Sequence, residues 1–202
     1  MIQLHGNQVR LRDWKLDDAK DYVYWLQPGQ FWQNFDGPYY PRMSKARVVQ
    51  QFQNLSRKIK AQTLESPRKN LAIVDKATNQ LLGHVGWYWE SQETNWLSAG
   101  IAIFDPDNWR TGKGYEAFGL WTDYLFQTMP RIVRVDLRTW SGNQGMMKLA
   151  EKLGYTQEAR FRKARIVEGQ YYDSIGYGVL REEWAEMYPQ GFEKALTEKE
   201  HK

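Results

Sequence analysis

Gly112 and Gly114, interleaved with Arg110 and Lys113 in the run "NWRTGKGYEAF" (residues 108–118), are the residues whose types and spacing best suit chemistry in this 202-residue chain. Glycine ahead of a helix is unfavourable unless backbone N–H groups must approach something closely. Phosphate is the commonest such partner, because it meets unpaired amides and the positive end of the helix dipole. A P-loop needs G-x-x-x-x-G-K followed by Ser or Thr. Lys113 follows Gly112, but Gly114 stands at the hydroxyl position and Asp107 at the first glycine, which excludes that motif. The dinucleotide fingerprint G-x-G-x-x-A is met by Gly112, Gly114 and Ala117, with Asp136 about 20 residues on as a ribose partner. Against it, "DPDNWRT" separates the glycines from the preceding apolar run, where the fingerprint has a tight turn.

Composition narrows the chemistry further. There is no cysteine, so disulfides, thiolate zinc sites and a Cys nucleophile are excluded. His5, His84 and His201 are scattered, which argues against a histidine metal cluster, and no metal is expected. Lys and Arg number 28 against 24 Asp and Glu, a formal +4 that suits an anionic ligand but is too mild and dispersed for nucleic acid. The start "MIQLHGNQVRLR" lacks the apolar stretch of a signal peptide, and no run approaches the roughly 20 residues of a membrane span. A cytoplasmic protein with no membrane partner is the expectation. With 42% hydrophobic residues, residues 1–202 suit a single domain, the last part from about 183 being a helical tail.

The elements around the glycines follow from periodicity. "QVRLRDW" alternates as a first strand, and "LDDAKDYVYWLQ" has acidic caps and helical apolar spacing at Ala19, Tyr22, Val23 and Leu26. "FWQNFDGPYYPR" (residues 31–42) is an aromatic loop punctuated by Gly and Pro. Ser44 then caps a second helix to about Ala61, with Val48, Phe52 and Leu55 on one face. "LAIVDKATNQLLGHVGWYWE" and "NWLSAGIAIF" make an antiparallel meander of three strands. After the glycine turn the stripe Phe118, Trp121 and Leu125 is helical until Pro130, and "RVDLRTW" alternates again, giving a β-turn-α-β crossover and parallel pairing. Asn143 caps a short helix with Met146, Leu149, Ala150 and Leu153 on one face, closed by Gly154. A hairpin, "ARFRKARIV" turning at Glu168-Gly169 into "QYYDSIGYGVL", and a helical tail from about Arg181 complete the chain. The class is α+β with a mixed sheet.

Three stretches, "GIAIFDPDNWRTGKGYEAFGLW", "TWSGNQGMMKLAEKLGY" and "EGQYYDSIGYGVLREEW", together resemble the GNAT family of N-acetyltransferases, in particular the branch of ribosomal-protein N-terminal and polyamine acetyltransferases. The first is similar to the family's acetyl-coenzyme A turn, Gln/Arg-x-x-Gly-x-Gly/Ala, with Gly112 and Gly114 at the glycines. The second is similar to N-x-x-S-x-x-x-x-E-K-x-G-F, through Asn143, Glu151, Lys152, Gly154 and Tyr155. The resemblance implies a GNAT-like acyl-CoA N-acyltransferase fold: meander, β-α-β crossover and C-terminal hairpin around a central mixed sheet. It also implies transfer of acetyl from acetyl-CoA to a primary amine, either a protein N-terminus or a small amine or amino acid, by direct attack in a ternary complex; a homodimer is the oligomer carried as an expectation. Amides of Arg110, Thr111, Gly112, Lys113, Gly114 and Tyr115 would cradle the pyrophosphate, with charge from Arg110 and Lys113. Backbone groups of Ile101, Ala102 and Ile103 would pair with the pantetheine arm, Asn143 would touch it, and Lys148 or Lys152 would reach the 3′-phosphate.

Departures from the family pattern fall where protons move. Trp109 occupies the Gln/Arg position with Arg110 one place late, Met146 stands for Ser, Ala150 for the usual Tyr, and Ser98 lies where the branch carries a glutamate. Glu90 or Glu93 is therefore the candidate base, and Tyr155 or Tyr172 the candidate acid. Phe31, Trp32, Phe35, Tyr39 and Tyr40 are the candidate acceptor wall, since aromatics at neither helical nor strand spacing suggest a pocket. A coenzyme-binding module without catalysis is the alternative reading, and a dinucleotide oxidoreductase the third. The basic strand "RFRKAR" is read as a solvated face that also suits steering of an anionic acceptor.

Overall fold

The computed structural model describes residues 2–41 and 44–199; Arg42 at the end of the aromatic loop, and the end of the tail with His201, lie outside the described residues. The alternating runs fold into one eight-stranded sheet: β1 (Gln3–His5), β2 (Val9–Arg12), β3 (Asn70–Asp75), β4 (Leu81–Ser91), β5 (Trp96–Ile103), β6 (Arg134–Trp140), β7 (Thr156–Val167) and β8 (Gln170–Leu180). Their order across the sheet is β1-β2-β3-β4-β5-β6-β8-β7. Every neighbouring pair is antiparallel except β5–β6. This is the mixed sheet expected from the meander, crossover and hairpin. β1 is an addition: three residues before Gly6 fold back on β2, too short to announce themselves by alternation.

Helices α1 (Ala19–Trp25), α2 (Lys45–Lys60), α3 (Lys113–Thr128), α4 (Gln144–Lys152), α5 (Arg181–Met187) and α6 (Phe192–Lys199) connect and cover the strands. Ser44 caps α2 by accepting from Arg47 N–H, as its position suggests. The predicted tail is two helices rather than one, because Gly191 takes a left-handed φ of 87° between them. On one sheet face, Phe118, Trp121 and Leu125 of α3 are wholly buried, so the predicted stripe is the core face of that helix. Phe192 of α6 is fully buried against α3 at Gly119, where an added Cβ would stand only 2.1 Å from the ring. Burying that ring contributes about 2–3 kcal/mol, and only glycine lets it approach so closely. Trp14, Trp32, Ala102 and Phe104 form a second cluster on the other face, covered by Tyr22, Trp25 and Leu55 from α1 and α2.

The sheet loosens at its one parallel pair. The pairing of β5 and β6 holds at Leu97↔Val135 and Ser98↔Asp136 and ends there. Beyond those pairs the two strands diverge toward their C-terminal ends. The glycine turn follows one of those ends and the Asn143 helix the other.

Candidate active site

Asp105 accepts from Asp107 N–H (3.0 Å) and so caps a 3-10 turn at Pro106–Asn108, after which the chain must reverse into α3. It does so through two left-handed residues, Arg110 (φ 61°) and Gly112 (φ 95°), the latter forming the N-cap of α3 with no side-chain cap. The loop's carbonyls are occupied: Trp109 Nε1 donates to Ile103 C=O (2.9 Å), Thr111 Oγ1 to Asn108 C=O (2.8 Å) and Gln8 Nε2 to Thr111 C=O (3.1 Å). Its donors are not. Among the described residues no oxygen accepts from the amides of Arg110, Thr111, Gly112, Lys113 or Gly114, and the first bond of α3 is Glu116 N–H to Gly112 C=O (3.1 Å). Such a row of free amides at the positive end of a 16-residue helix is suited to an anion. Glu116, the carboxylate nearest in sequence, is directed away, because it is buried and accepts from Gln8 N–H (2.8 Å), Gln8 Nε2 (3.2 Å) and Val9 N–H (3.3 Å).

The cations expected around the cradle divide. Arg110 is exposed and makes no ion pair among the described residues, as is also true of Lys148. Lys113 instead lies on Asn108 Oδ1 (2.7 Å) and Asp75 Oδ2 (3.4 Å), a structural clamp between the turn and β3. Lys152 sits 4.7 Å above the Tyr115 ring. Asn143 is also engaged, its Oδ1 capping α4 at Met146 N–H (3.0 Å) and its Nδ2 donating to Phe35 C=O (3.2 Å).

Which backbone groups face the divergence of β5 and β6 follows from the antiparallel register with β4. Phe104 N–H donates to Leu82 C=O, and with period two Ala102 and Gly100 also turn their peptide groups to β4. Those of Ala99, Ile101 and Ile103 are directed at β6 and the gap: the Ser98↔Asp136 pair takes the Ala99 N–H and Trp109 Nε1 holds the Ile103 C=O, which leaves the Ala99 C=O, both groups of Ile101 and the Ile103 N–H open. Of the expected strand residues, Ile101 keeps both peptide groups open and Ile103 its N–H alone, whereas Ala102 bonds back to His84, and the Ala99 C=O is the further open group. Composition and spacing hold no signal for this; it appears only once the β4–β5 register is known.

At the point where the gap begins, on the face away from α3, a polar cluster gathers. Ser98 Oγ donates to Glu90 Oε1 (2.6 Å), and Arg138 Nε reaches the same oxygen (3.2 Å). Burial alone would raise the Glu90 pKa, but the bonds from Ser98, Arg138 and Tyr88 outweigh it and hold the carboxyl below its ordinary value. Tyr88, about half exposed, has its hydroxyl beside Ser98 and Glu90, and burial pushes its pKa up. Tyr88 and Arg138 were not among the sequence candidates, and their only signal is the two-residue alternation that puts them on the face of Glu90 and Ser98.

Two sequence candidates stand elsewhere. Glu93 is fully exposed at the tip of the β4–β5 turn, where its carboxylate accepts from Ser91 Oγ (3.1 Å). Tyr155 is buried among α3 and α5 on the opposite face, its hydroxyl 2.7 Å from Thr122 Oγ1, and burial drives its pKa far above the usual tyrosine value. Neither can meet a group held in the gap. Asp136, the supposed ribose partner, is buried and held by Trp96 Nε1 (2.8 Å) and Arg134 Nε (2.7 Å); with β4 and β5 antiparallel, this overturns the dinucleotide reading.

The aromatic loop arches over the open end. Phe31 and Phe35 pack on Trp109 after β5 (5.7 and 5.2 Å between centroids), while Phe35 C=O accepts from Trp140 Nε1 (3.1 Å) at the end of β6. Trp32 is core rather than wall: it is buried on Phe104, with Nε1 donating to Trp25 C=O (2.9 Å). Tyr39 packs on Tyr40 (4.8 Å) and lies beneath Arg165 of β7, and Tyr172 of β8 stands edge-on to Trp140 (4.7 Å). Among the described residues no three His, Asp or Glu side chains converge on a metal-sized point, and no helix is long and apolar enough to cross a membrane.

This arrangement has known counterparts. The profile of the acetyltransferase (GNAT) domain matches residues 8–156. The uncharacterised N-acetyltransferase p20 of Bacillus licheniformis is 23% identical over 185 residues, 92% of this chain and 99% of that protein. In fold the chain is similar to the ribosomal-protein-S5-alanine acetyltransferase of Vibrio fischeri, with a TM-score of 0.70 at 17% identity, covering 91% of this chain and 99% of that one. It is also similar to the spermidine N-acetyltransferase of Vibrio cholerae, solved with CoA and spermine, with a TM-score of 0.70 at 16% identity over 89% and 99% of the two chains.

Proposed function

The chain belongs to the GNAT acetyltransferases, and on that premise we propose that it transfers acetyl from acetyl-CoA to the α-amino group of an acceptor, with both substrates bound at once. The observation that carries the reading is the run of five amides from Arg110 to Gly114, all without acceptors, at the end of a gap lined by free peptide groups. The pyrophosphate fits those amides, with the exposed Arg110 beside it and Lys148 of α4 as the cation for the 3′-phosphate. The Ala99 C=O, both peptide groups of Ile101 and the Ile103 N–H suit the amides of the pantetheine arm, which would lie as one more strand beside β5. Acetyl-CoA supplies an activated thioester; the protein's part is to align it and manage protons.

An arm running from the glycine turn along β5 ends near Ser98, where Glu90 waits. As the amine nitrogen bonds to the acyl carbon and the carbon–sulfur bond breaks, the amine proton passes toward Glu90, directly or through one water, and the sulfur leaves as thiolate. Tyr88, the phenol beside Ser98 and Glu90, is protonated at neutral pH and held so more firmly by burial, and can return a proton to sulfur. The glutamate missing at Ser98 is thereby supplied from the neighbouring strand. Ala150, at the family's tyrosine position, is wholly buried in the core, so an acid from α4 has no opening.

A carboxylate base also favours one kind of acceptor. A weak base suits an amine already partly neutral: at pH 7.5 about a quarter of an α-amine of pKa about 8 is free, against roughly 0.1% of a lysine-like amine of pKa about 10.4. Because the Glu90 pKa lies below its ordinary value, the carboxylate is charged at neutral pH, and the rise in rate from about pH 6.5 to 8 should track deprotonation of the acceptor amine alone. Glu90→Gln should lower kcat about 100-fold while acetyl-CoA affinity by calorimetry stays within twofold. Tight acetyl-CoA binding with no thiol release from any peptide, polyamine or amino acid would instead establish a coenzyme-binding module without catalysis.

A further inference from the structure

The turn between β1 and β2 touches the glycine turn from outside any motif. Gly6 N–H closes it by donating to Val9 C=O (2.8 Å), and its edges are tied down on several sides. Lys76 Nζ donates to Gly6 C=O (2.8 Å), Lys76 N–H to Gln8 C=O (2.9 Å) and Asn7 Nδ2 to Leu196 C=O of α6 (3.2 Å). Glu116 of α3 takes the Gln8 and Val9 amides. From this fixed frame the exposed side chain of Gln8 reaches out, with Nε2 3.1 Å from Thr111 C=O and 3.2 Å from Glu116 Oε1. Both partners are acceptors, so they decide which way round the Gln8 amide lies and occupy both of its protons.

That contact sets the direction of one peptide. In a trans peptide the C=O of one residue and the N–H of the next point opposite ways. With Thr111 C=O drawn to Gln8 on the β2 side, Gly112 N–H is turned away from β2, and in the strand order the gap lies on that far side. This amide is the middle one of the five left free. The turn does not fix it unaided: Gly112 stands at φ 95°, but glycine accepts either sign of φ, so the Thr111–Gly112 peptide can turn over at little backbone cost. Turned over, it would present an oxygen to the anion. Lys113 holds the other side of the turn on Asn108 and Asp75 through its side chain, which leaves the Thr111–Gly112 peptide plane free. An exposed bond such as that of Gln8 adds little to the stability of the fold, so its main consequence is the aim of the amide.

We propose that Gln8 is a positioning residue for the coenzyme: its side-chain amide holds Thr111 C=O and thereby aims Gly112 N–H at the pyrophosphate. The inference rests on the acetyl-CoA reading of the turn. Gln8→Met keeps the length of the side chain and removes both donors, and Gln8→Glu puts an acceptor where the carbonyl needs a donor. Acetyl-CoA affinity by calorimetry should fall about fivefold in the first variant and at least about tenfold in the second, which adds a repelling charge. Unfolding in urea should be nearly unchanged for Gln8→Met. S-acetylpantetheine, which has the thioester arm but no pyrophosphate, should bind Gln8→Met as it binds the native chain, read by competition with acetyl-CoA. Asn7→Ala frees the same turn from α6 and should leave acetyl-CoA affinity within about twofold. Acetyl-CoA binding to Gln8→Met within about twofold of native would overturn the proposal. So would equal losses for acetyl-CoA and S-acetylpantetheine, or a matching loss in Asn7→Ala, since either makes the contact merely architectural. A native chain that binds no acetyl-CoA brings down the coenzyme reading along with this one, whereas native binding with an indifferent Gln8→Met removes this one alone.

Discussion

Two helix N-termini flank the gap between β5 and β6, and they are built oppositely. At α4 the chain satisfies itself: Asn143 Oδ1 takes the Met146 amide and Nδ2 holds the Phe35 carbonyl, so both side-chain groups of the cap are engaged within the fold. At α3 the cap is Gly112, which has no side chain to offer, and the amides around it have no partner. An end left without a cap is completed by water or by a ligand. The contrast separates a terminus closed by its own side chain from one left open, although both carry an Asn or Gly that a motif search would score alike.

That contrast can be broken by substitution. Gly112→Trp puts a large side chain at a left-handed position, where even a Cβ would sit 3.2 Å from Gln8 Nε2, and covers the amides. Acetyl-CoA affinity by calorimetry should fall at least about 100-fold, and an unchanged Kd would end the distinction between the two termini. Glu116→Ala removes the carboxylate that ties the turn to β2, and should lower stability in urea by about 2–3 kcal/mol through the orphaned Gln8 and Val9 amides. Asn143→Ala should cost about 1 kcal/mol by thermal melting, as a lost cap does, with acetyl-CoA affinity little changed. A large loss of affinity there would instead make α4 a second ligand terminus. The smallest effect is expected at Gly114, where an added Cβ has its nearest neighbour, Leu149 Cδ2, at 3.9 Å. Gly114→Ala should stabilise the helix by up to about 1 kcal/mol while weakening acetyl-CoA a few-fold, stability and binding moving in opposite directions.

Local patterns announced most of the frame. The stripe on α3, the caps Ser44 and Asn143, and the Glu168-Gly169 turn with both residues at positive φ all follow from neighbours within four residues in the chain. What stayed hidden depends on partners distant in sequence. Ala102 and Ala99 differ only in which way their peptide groups turn, which the pairing with β4 decides. Glu90 acquires its low pKa from Ser98 and from Arg138, 48 residues away. Tyr155 looks like any tyrosine at a helix end until α3 and α5 close over it. The split of the tail at Gly191, and the ring of Phe192 on Gly119, likewise come from packing rather than from spacing.

The parallel ladder of only two residue pairs between β5 and β6 makes the domain a hinged book, its halves sewn at Leu97 and Ser98 and otherwise bound by the helices on its covers. A donor arm laid into the opening acts as the missing stitching, so saturating acetyl-CoA at 100 times its Kd should add about 2.7 kcal/mol to the whole fold. Hydrogen exchange should slow most at Arg138, Trp140 and Ile101, the loose page edges, long before it changes at the spine.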